Sequence, residues 1–68
     1  MNEDLLNASI RKFLKTFGVT AQREIEKAVR QAANEGRLPK NQPLQVRATL
    51  NLDKIGLVHS VEDHLEVD

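Results

Sequence analysis

The hydrophobic residues of the N-terminal half recur at spacings of three and four, which is the period of an amphipathic helix. The first series consists of Leu6, Ile10, Phe13, Leu14 and Phe17. These residues fall within an arc of about 100° on a helical wheel. Asn2 or Asp4 is suited to cap the start of the helix. Gly18 is suited to end it, because glycine enters the left-handed conformation at little cost. The pattern predicts a first helix over about residues 4–17.

A second amphipathic pattern lies between Gly18 and Gly36. Thr20 is suited to cap its start, since its hydroxyl can accept a hydrogen bond from an unpaired backbone N–H. Its apolar positions are Ile25, Ala28, Val29 and Ala32. The pattern predicts a second helix over about residues 21–35. A short link at Gly18 and Val19 would make the two helices an αα-hairpin or a corner.

A polar segment bounded by Pro39 and Pro43 separates the helical half from the rest of the chain, because proline prevents a helix from continuing. From Leu44 the hydrophobic period becomes two. The alternating apolar residues are Leu44, Val46, Ala48, Leu50 and Leu52. This alternation predicts a strand over about residues 44–52 with one apolar and one polar face.

A turn candidate at residues 53–56 follows the strand, and residues 57–67 form a less regular apolar alternation. This segment predicts either one strand with a defect or two short strands that turn near Glu62 and Asp63. The predicted fold is therefore α+β, with two N-terminal helices followed by a β-hairpin or a short three-stranded meander. The chain is long enough for one small domain.

Self-association is the expected source of additional stability. A chain of 68 residues buries only about 60% of the surface that its unfolded form exposes. There is no cysteine, so neither disulfides nor thiolate zinc sites can support the fold. We therefore predict a homodimer in which the hairpins of two copies join into one sheet. A domain-swapped version of this dimer, with the hairpin packed on the partner's helices, is the secondary hypothesis.

Charge and hydropathy favour a cytoplasmic protein. Residues 1–40 carry eight Lys/Arg and five Asp/Glu, giving +3, whereas residues 41–68 carry two and five, giving −3. No apolar run is long enough to span a membrane, and the first seven residues lack the features of a signal peptide. The two halves could attract each other between subunits or form two solvated surfaces.

The clearest candidate site is a basic face that consists of Arg23, Lys27, Arg30 and Arg37. These residues could contact phosphates, and the segment from Gly18 to Ile25 resembles the entry to a helix in helix-turn-helix proteins. Zero net charge and the acidic second half argue against binding of nucleic acid. The alternative interpretation is the solvated side of an amphipathic helix, in which Glu26 and Arg30 pair at i, i+4.

A cluster near the C-terminus contains residue types that bind metals, namely His59, Glu62, Asp63 and His64. The odd spacing of the two histidines places them on opposite faces of a strand. We therefore expect no metal site. The hydroxyl residues lack a neighbouring His and acid pattern, so we also expect no catalytic residues, no cofactor and no enzymatic activity.

The opening MNEDLLNASIRKFLKTFGVTAQREIEKAV resembles a small family catalogued as domain of unknown function 6494, found mainly in proteobacteria. The similarity continues more loosely through the alternating strand and the acidic end HLEVD. It implies a compact, standalone bacterial protein and assigns no functional residue. The sequence as a whole favours a non-enzymatic protein-interaction or regulatory module, with a nucleic-acid-binding dimer as the alternative.

Overall fold

The structure, a computed structural model, describes residues 1–67 and has an α+β architecture. Its elements in chain order are α1 (Glu3–Asn34), β1 (Leu44–Leu52), a single 3₁₀ turn (Asp53–Ile55) and β2 (Leu57–Leu65). The chain divides into two compact units. The first is Met1–Leu38 and contains α1, and the second begins at Pro39 and contains the two strands.

The helical half is one helix of 32 residues rather than two. The predicted break between helices at about 4–17 and 21–35 is therefore wrong, and Gly18 lies inside α1. A glycine in a helix interior costs only about 1 kcal/mol relative to alanine. The residues from Ala21 to Ala33, most of which favour a helix, outweigh this cost. Thr20 does not cap a second helix. Its hydroxyl donates to the carbonyl oxygen of Thr16 at 2.8 Å, a bond within one continuous helix.

The apolar residues on the two sides of Gly18 share one helical phase. Most of them follow repeated steps of four, four and three residues, so equivalent positions recur every eleven residues. These positions are Leu6, Phe17 and Ala28; Ile10, Ala21 and Ala32; and Leu14 and Ile25. Eleven residues are close to three full turns of an α-helix. A single helix therefore aligns both predicted apolar series into one stripe.

Both ends of α1 carry the caps that the sequence predicts. At the start, the side-chain oxygen of Asn2 accepts a hydrogen bond from the backbone N–H of Leu5 at 3.0 Å. At the end, Gly36 is left-handed, with φ of 70°. The backbone N–H of Arg37 donates to the carbonyl of Ala32 at 2.8 Å. This closure is a Schellman motif, so Gly36 ends the helix as predicted.

The second unit is an antiparallel hairpin in which Leu44 pairs with Leu65 and Leu52 pairs with Leu57. The predicted turn at residues 53–56 is confirmed. Gly56 closes it in the left-handed conformation, with φ of 73°, and its N–H donates to the carbonyl of Asp53 at 3.3 Å. Of the two alternatives for the C-terminal segment, the structure has one strand, which continues through residues 62 and 63 and ends at Leu65.

The two faces of the hairpin differ in polarity. On one face, the Nε of Arg47 contacts Glu62 Oε1 at 2.9 Å, and the hydroxyl oxygens of Thr49 and Ser60 lie 3.0 Å apart. The register defines the apolar face, which consists of Leu44, Val46, Ala48, Leu50, Leu52, Leu57, Val61 and Leu65. His59 interrupts this face opposite Leu50.

None of the residues that the structure describes is buried, so neither unit has an interior of its own. Even the two aromatic rings, Phe13 and Phe17, are 55% and 47% exposed, although they stack with centroids 6.3 Å apart. Large aliphatic side chains stabilise a fold mainly by leaving water. These side chains therefore remain available for further packing.

Gly18→Ala is expected to stabilise α1. A Cβ at Gly18 meets no atom within 4 Å, so the gain in helix propensity of about 1 kcal/mol per chain is not offset by a clash. Circular dichroism should show a melting temperature several degrees higher at the same protein concentration.

Gly36→Ala and Gly56→Ala are the matched controls for this substitution. Both glycines have positive φ, so an added Cβ should cost about 1–2 kcal/mol at each position. If Gly18→Ala also lowered the melting temperature by this amount, Gly18 would be a helix terminus and the continuous helix would be wrong.

Candidate functional site

One side of α1 forms an apolar stripe whose two halves differ in side-chain size. The apolar stripe consists of Leu6, Ile10, Phe13, Leu14, Phe17, Ala21, Ile25, Ala28, Val29 and Ala32. It covers an arc of about 160° on the helical wheel. Before Gly18 all its members are large, whereas after Gly18 three of the five are alanine. The first half of the stripe is therefore bulky, meaning that its side chains are large, and the second half is shallow, meaning that most of its side chains are small.

The predicted basic face is partly reproduced. Arg23, Lys27 and Arg30 lie together on the side of α1 opposite the apolar stripe, because their spacings are four and three residues. Lys12 lies on the same side, eleven residues before Arg23, and sequence reasoning missed it. In a continuous helix, the eleven-residue repeat places Lys12 on the same side as Arg23. We call Lys12, Arg23, Lys27 and Arg30 the basic stripe.

Arg37, the fourth predicted residue, is separate from the basic stripe because it follows the helix end. Its Nε contacts Glu35 Oε1 at 2.7 Å, while the amide of Gln31 donates to the other oxygen of Glu35 at 3.1 Å. The hydrogen bond from Arg37, followed by that from Gln31, lowers the pKa of the Glu35 carboxyl below its ordinary value. Arg37 therefore belongs to a local network at the helix terminus.

The members of the basic stripe on the second half of α1 differ in their partners. Arg30 Nη2 lies 3.7 Å from Glu26 Oε2, and both side chains are well exposed. Exposed ion pairs of this kind contribute little free energy, so Arg30 is only weakly bound to Glu26. The ion pairs among the described residues leave Arg23 and Lys27 without a carboxylate partner. The basic stripe therefore presents positive charge to the solvent.

The histidine and acid cluster is divided by the hairpin. His59 pairs with Leu50 and Asp63 with Val46 on the apolar face, whereas Glu62 and His64 lie on the polar face. The predicted placement of the two histidines on opposite faces is confirmed. Within residues 1–67, no group of three or more potential metal ligands comes together.

A hollow beside the hairpin lies between the chain segment that leads into β1 and the residues that follow β2. Its lining consists of Asn41, Gln42, Pro43, Glu66 and Val67. Among the described residues of this lining, Glu66 is the single ionisable one. General acid–base and nucleophilic catalysis need several groups placed around a reacting atom, and this lining does not provide them. Among the described residues, no helix combines the length and apolarity needed to cross a membrane.

The fold and these surfaces define a small α+β protein in which a long amphipathic helix precedes a β-hairpin. The chain belongs to a family of unknown function, DUF6494, whose model matches residues 1–68. Neither a curated protein nor a solved structure matches the chain significantly. The family resemblance seen in the sequence is thus confirmed over the full length.

Arg37→Ala is expected to raise the pKa of Glu35 toward the ordinary value of a glutamate, because it removes the largest cause of the lowered pKa. Carboxyl ¹³C NMR as a function of pH measures this directly. Arg30→Ala, which removes a guanidinium from a different carboxylate, should leave the Glu35 titration unchanged. Equal effects of both substitutions would show that Arg37 is not specifically engaged by Glu35.

Proposed function

We propose that this chain is a homodimeric, non-enzymatic protein-interaction module. In this proposal the apolar stripe of α1 holds the copies together, and the basic stripe faces outward toward an acidic partner. The observation that carries the proposal is the lack of any buried side chain among the described residues, although large apolar residues line one side of α1.

The amount of exposed surface supports association of this kind. Leu6, Ile10, Phe13, Leu14 and Phe17 are each more than two-fifths exposed on α1, whereas a folded single chain of this size buries about 60% of the surface that its unfolded form exposes. A second copy supplies the packing that a chain of this size lacks.

The length of α1 supports the same proposal. Helices of globular proteins average about 11–12 residues, and amphipathic patterns longer than about 25 residues are typical of helices that pair along their length. α1 has 32 residues and carries its apolar stripe through most of them. Helical stability in water comes mainly from packing of such a face.

The outer edges of the hairpin provide a second surface for association. Its sheet has two strands, so each strand has an outer edge with unpaired backbone groups. Two hairpins joined at such an edge would form a four-stranded sheet with a shared apolar face. Exchange of the hairpins between copies, through the connection between α1 and β1, is the swapped form of the same dimer.

The side of α1 that such a dimer leaves exposed to solvent supports the interaction role. Arg23 and Lys27 lie opposite the apolar stripe, so pairing through the stripe keeps them exposed. A row of cations on a rigid helix suits an acidic surface of a partner protein, where it raises the association rate and helps to select the partner. The lack of any buried side chain among the described residues argues against an enzyme, because catalytic groups need a water-excluding pocket.

Phe17→Asp is expected to convert the dimer to single chains, and Val19→Asp is the matched control. The two residues are 47% and 45% exposed in the single chain but project from nearly opposite sides of α1. A carboxylate at position 17 would be buried without a partner in the dimer, whereas one at position 19 would remain in water. Sedimentation equilibrium measures the outcome.

The result for the unsubstituted chain decides the proposal. A folded single chain at high concentration would overturn it, and so would equal effects of Phe17→Asp and Val19→Asp. Circular dichroism on the same samples separates loss of pairing from loss of the helix.

Nucleic-acid binding is the second candidate function, and one observation favours it. The continuity of α1 adds Lys12 to the side that carries Arg23, Lys27 and Arg30, which extends the row of cations along the helix. Such a row can neutralise several phosphates, the source of most non-specific affinity for nucleic acid.

If the basic stripe binds nucleic acid, the affinity for mixed-sequence duplex DNA should fall with salt with a log–log slope of about −3 to −4, as expected for three or four phosphate contacts. Arg23→Glu with Arg30→Glu should weaken binding strongly, while Lys54→Glu in the hairpin turn should have little effect. Fluorescence anisotropy at low salt measures this. Undetectable binding there would eliminate the candidate.

A further inference from the structure

We infer that the apolar stripe of α1 packs against the same stripe of a second copy in the antiparallel direction, with the two helices centred near position 19. This inference rests on the proposed homodimer and specifies which surface forms it and in which orientation. Two features of α1 support it: the change in side-chain size along the apolar stripe and the direction of the helix dipoles.

Side-chain size is complementary when the helices run in opposite directions. Around a centre at position 19, the bulky first half of each stripe faces the shallow second half of the other copy. Three of the facing pairs join a large with a small residue, namely Leu6 with Ala32, Ile10 with Ala28, and Phe17 with Ala21. In the other two, Phe13 faces Ile25 and Leu14 faces Glu24. Helix axes pack about 8–10 Å apart, depending on the side chains between them, and the large–small pairs lie at the middle and towards both ends of the contact, where they keep this spacing similar.

The parallel arrangement lacks this match. It would place Leu6 on Leu6 and Phe17 on Phe17 in one half, but Ala28 on Ala28 and Ala32 on Ala32 in the other. The helices would then have to separate at one end and approach at the other, which leaves gaps or clashes in a contact that needs close packing.

The ends of the helices add a smaller contribution. Glu3 and Asp4 lie in the first turn of α1, at the positive end of the helix dipole. The antiparallel arrangement places opposite dipole ends beside each other, whereas the parallel one places equal ends and equal charges together. Packing and helix dipoles thus favour one direction.

Disulfide trapping tests the orientation, and the chain suits it because it contains no cysteine. Leu6→Cys and Ala32→Cys are prepared as separate full-length variants and mixed in equal amounts in a glutathione redox buffer. Non-reducing electrophoresis and mass spectrometry then count the three possible disulfide dimers. Val19→Cys, which lies away from the apolar stripe, reports random collision.

The mixed disulfide between positions 6 and 32 should exceed each symmetric disulfide about tenfold or more. In the antiparallel pair, two copies of residue 6 lie about 39 Å apart along the helix axes, whereas a disulfide requires Cα atoms within about 7 Å. Random pairing would give the mixed form no more than about twice the amount of each symmetric form.

Each other outcome overturns the inference in a recognisable way. Symmetric disulfides at 6 and at 32 would show a parallel pair. A dimer by sedimentation with disulfide yields no higher than those of Val19→Cys would place the interface outside the apolar stripe. Both results leave the homodimer intact, whereas single chains by sedimentation would overturn the proposed function itself. Circular dichroism of each variant verifies that α1 is retained.

Discussion

The helix α1 continues through Gly18 without a break in its hydrogen bonds. Both the apolar stripe and the basic stripe depend on this continuity. Because the helix does not bend back on itself, the apolar residues before and after the glycine cannot cover one another. They form one exposed stripe, and the cations on the opposite side form one row. Two shorter helices would have packed these apolar series together as a small interior. As a result, none of the described residues of α1 is buried.

Most local features were predictable from the sequence, because they depend on neighbouring residues. The Asn2 cap, the left-handed Gly36 and the turn at Gly56 each follow from the conformational preference of one residue type. The alternation in β1 also determined which of its side chains share a face. Residues 57–67 were ambiguous because His59 and Asp63 interrupt the apolar series, and pairing with β1 resolved the ambiguity.

The predicted break at Gly18 is wrong because it rests on the tendency of glycine to end a helix. It ignores that the apolar residues before and after Gly18 share one helical phase. Glycine permits a helix to end but does not require it, and its cost in a helix interior is only about 1 kcal/mol. Thr20 has the same ambiguity, since its hydroxyl can cap a helix or bond to a carbonyl one turn earlier. The repeat of eleven residues across Gly18 was the decisive signal. The same error separated Lys12 from Arg23. Arg37 was grouped with the basic face although it follows Gly36, where the helix was already expected to end.

The absence of buried side chains among the described residues has a consequence for abundance. A chain whose apolar surface is covered by another chain has a folded fraction that rises with concentration. If the proposed homodimer forms, α1 would lose the packing that holds it helical when few copies are present, and its backbone would become accessible to proteases. The cell's rate of synthesis would then influence both the amount of this protein and the fraction of it that is folded.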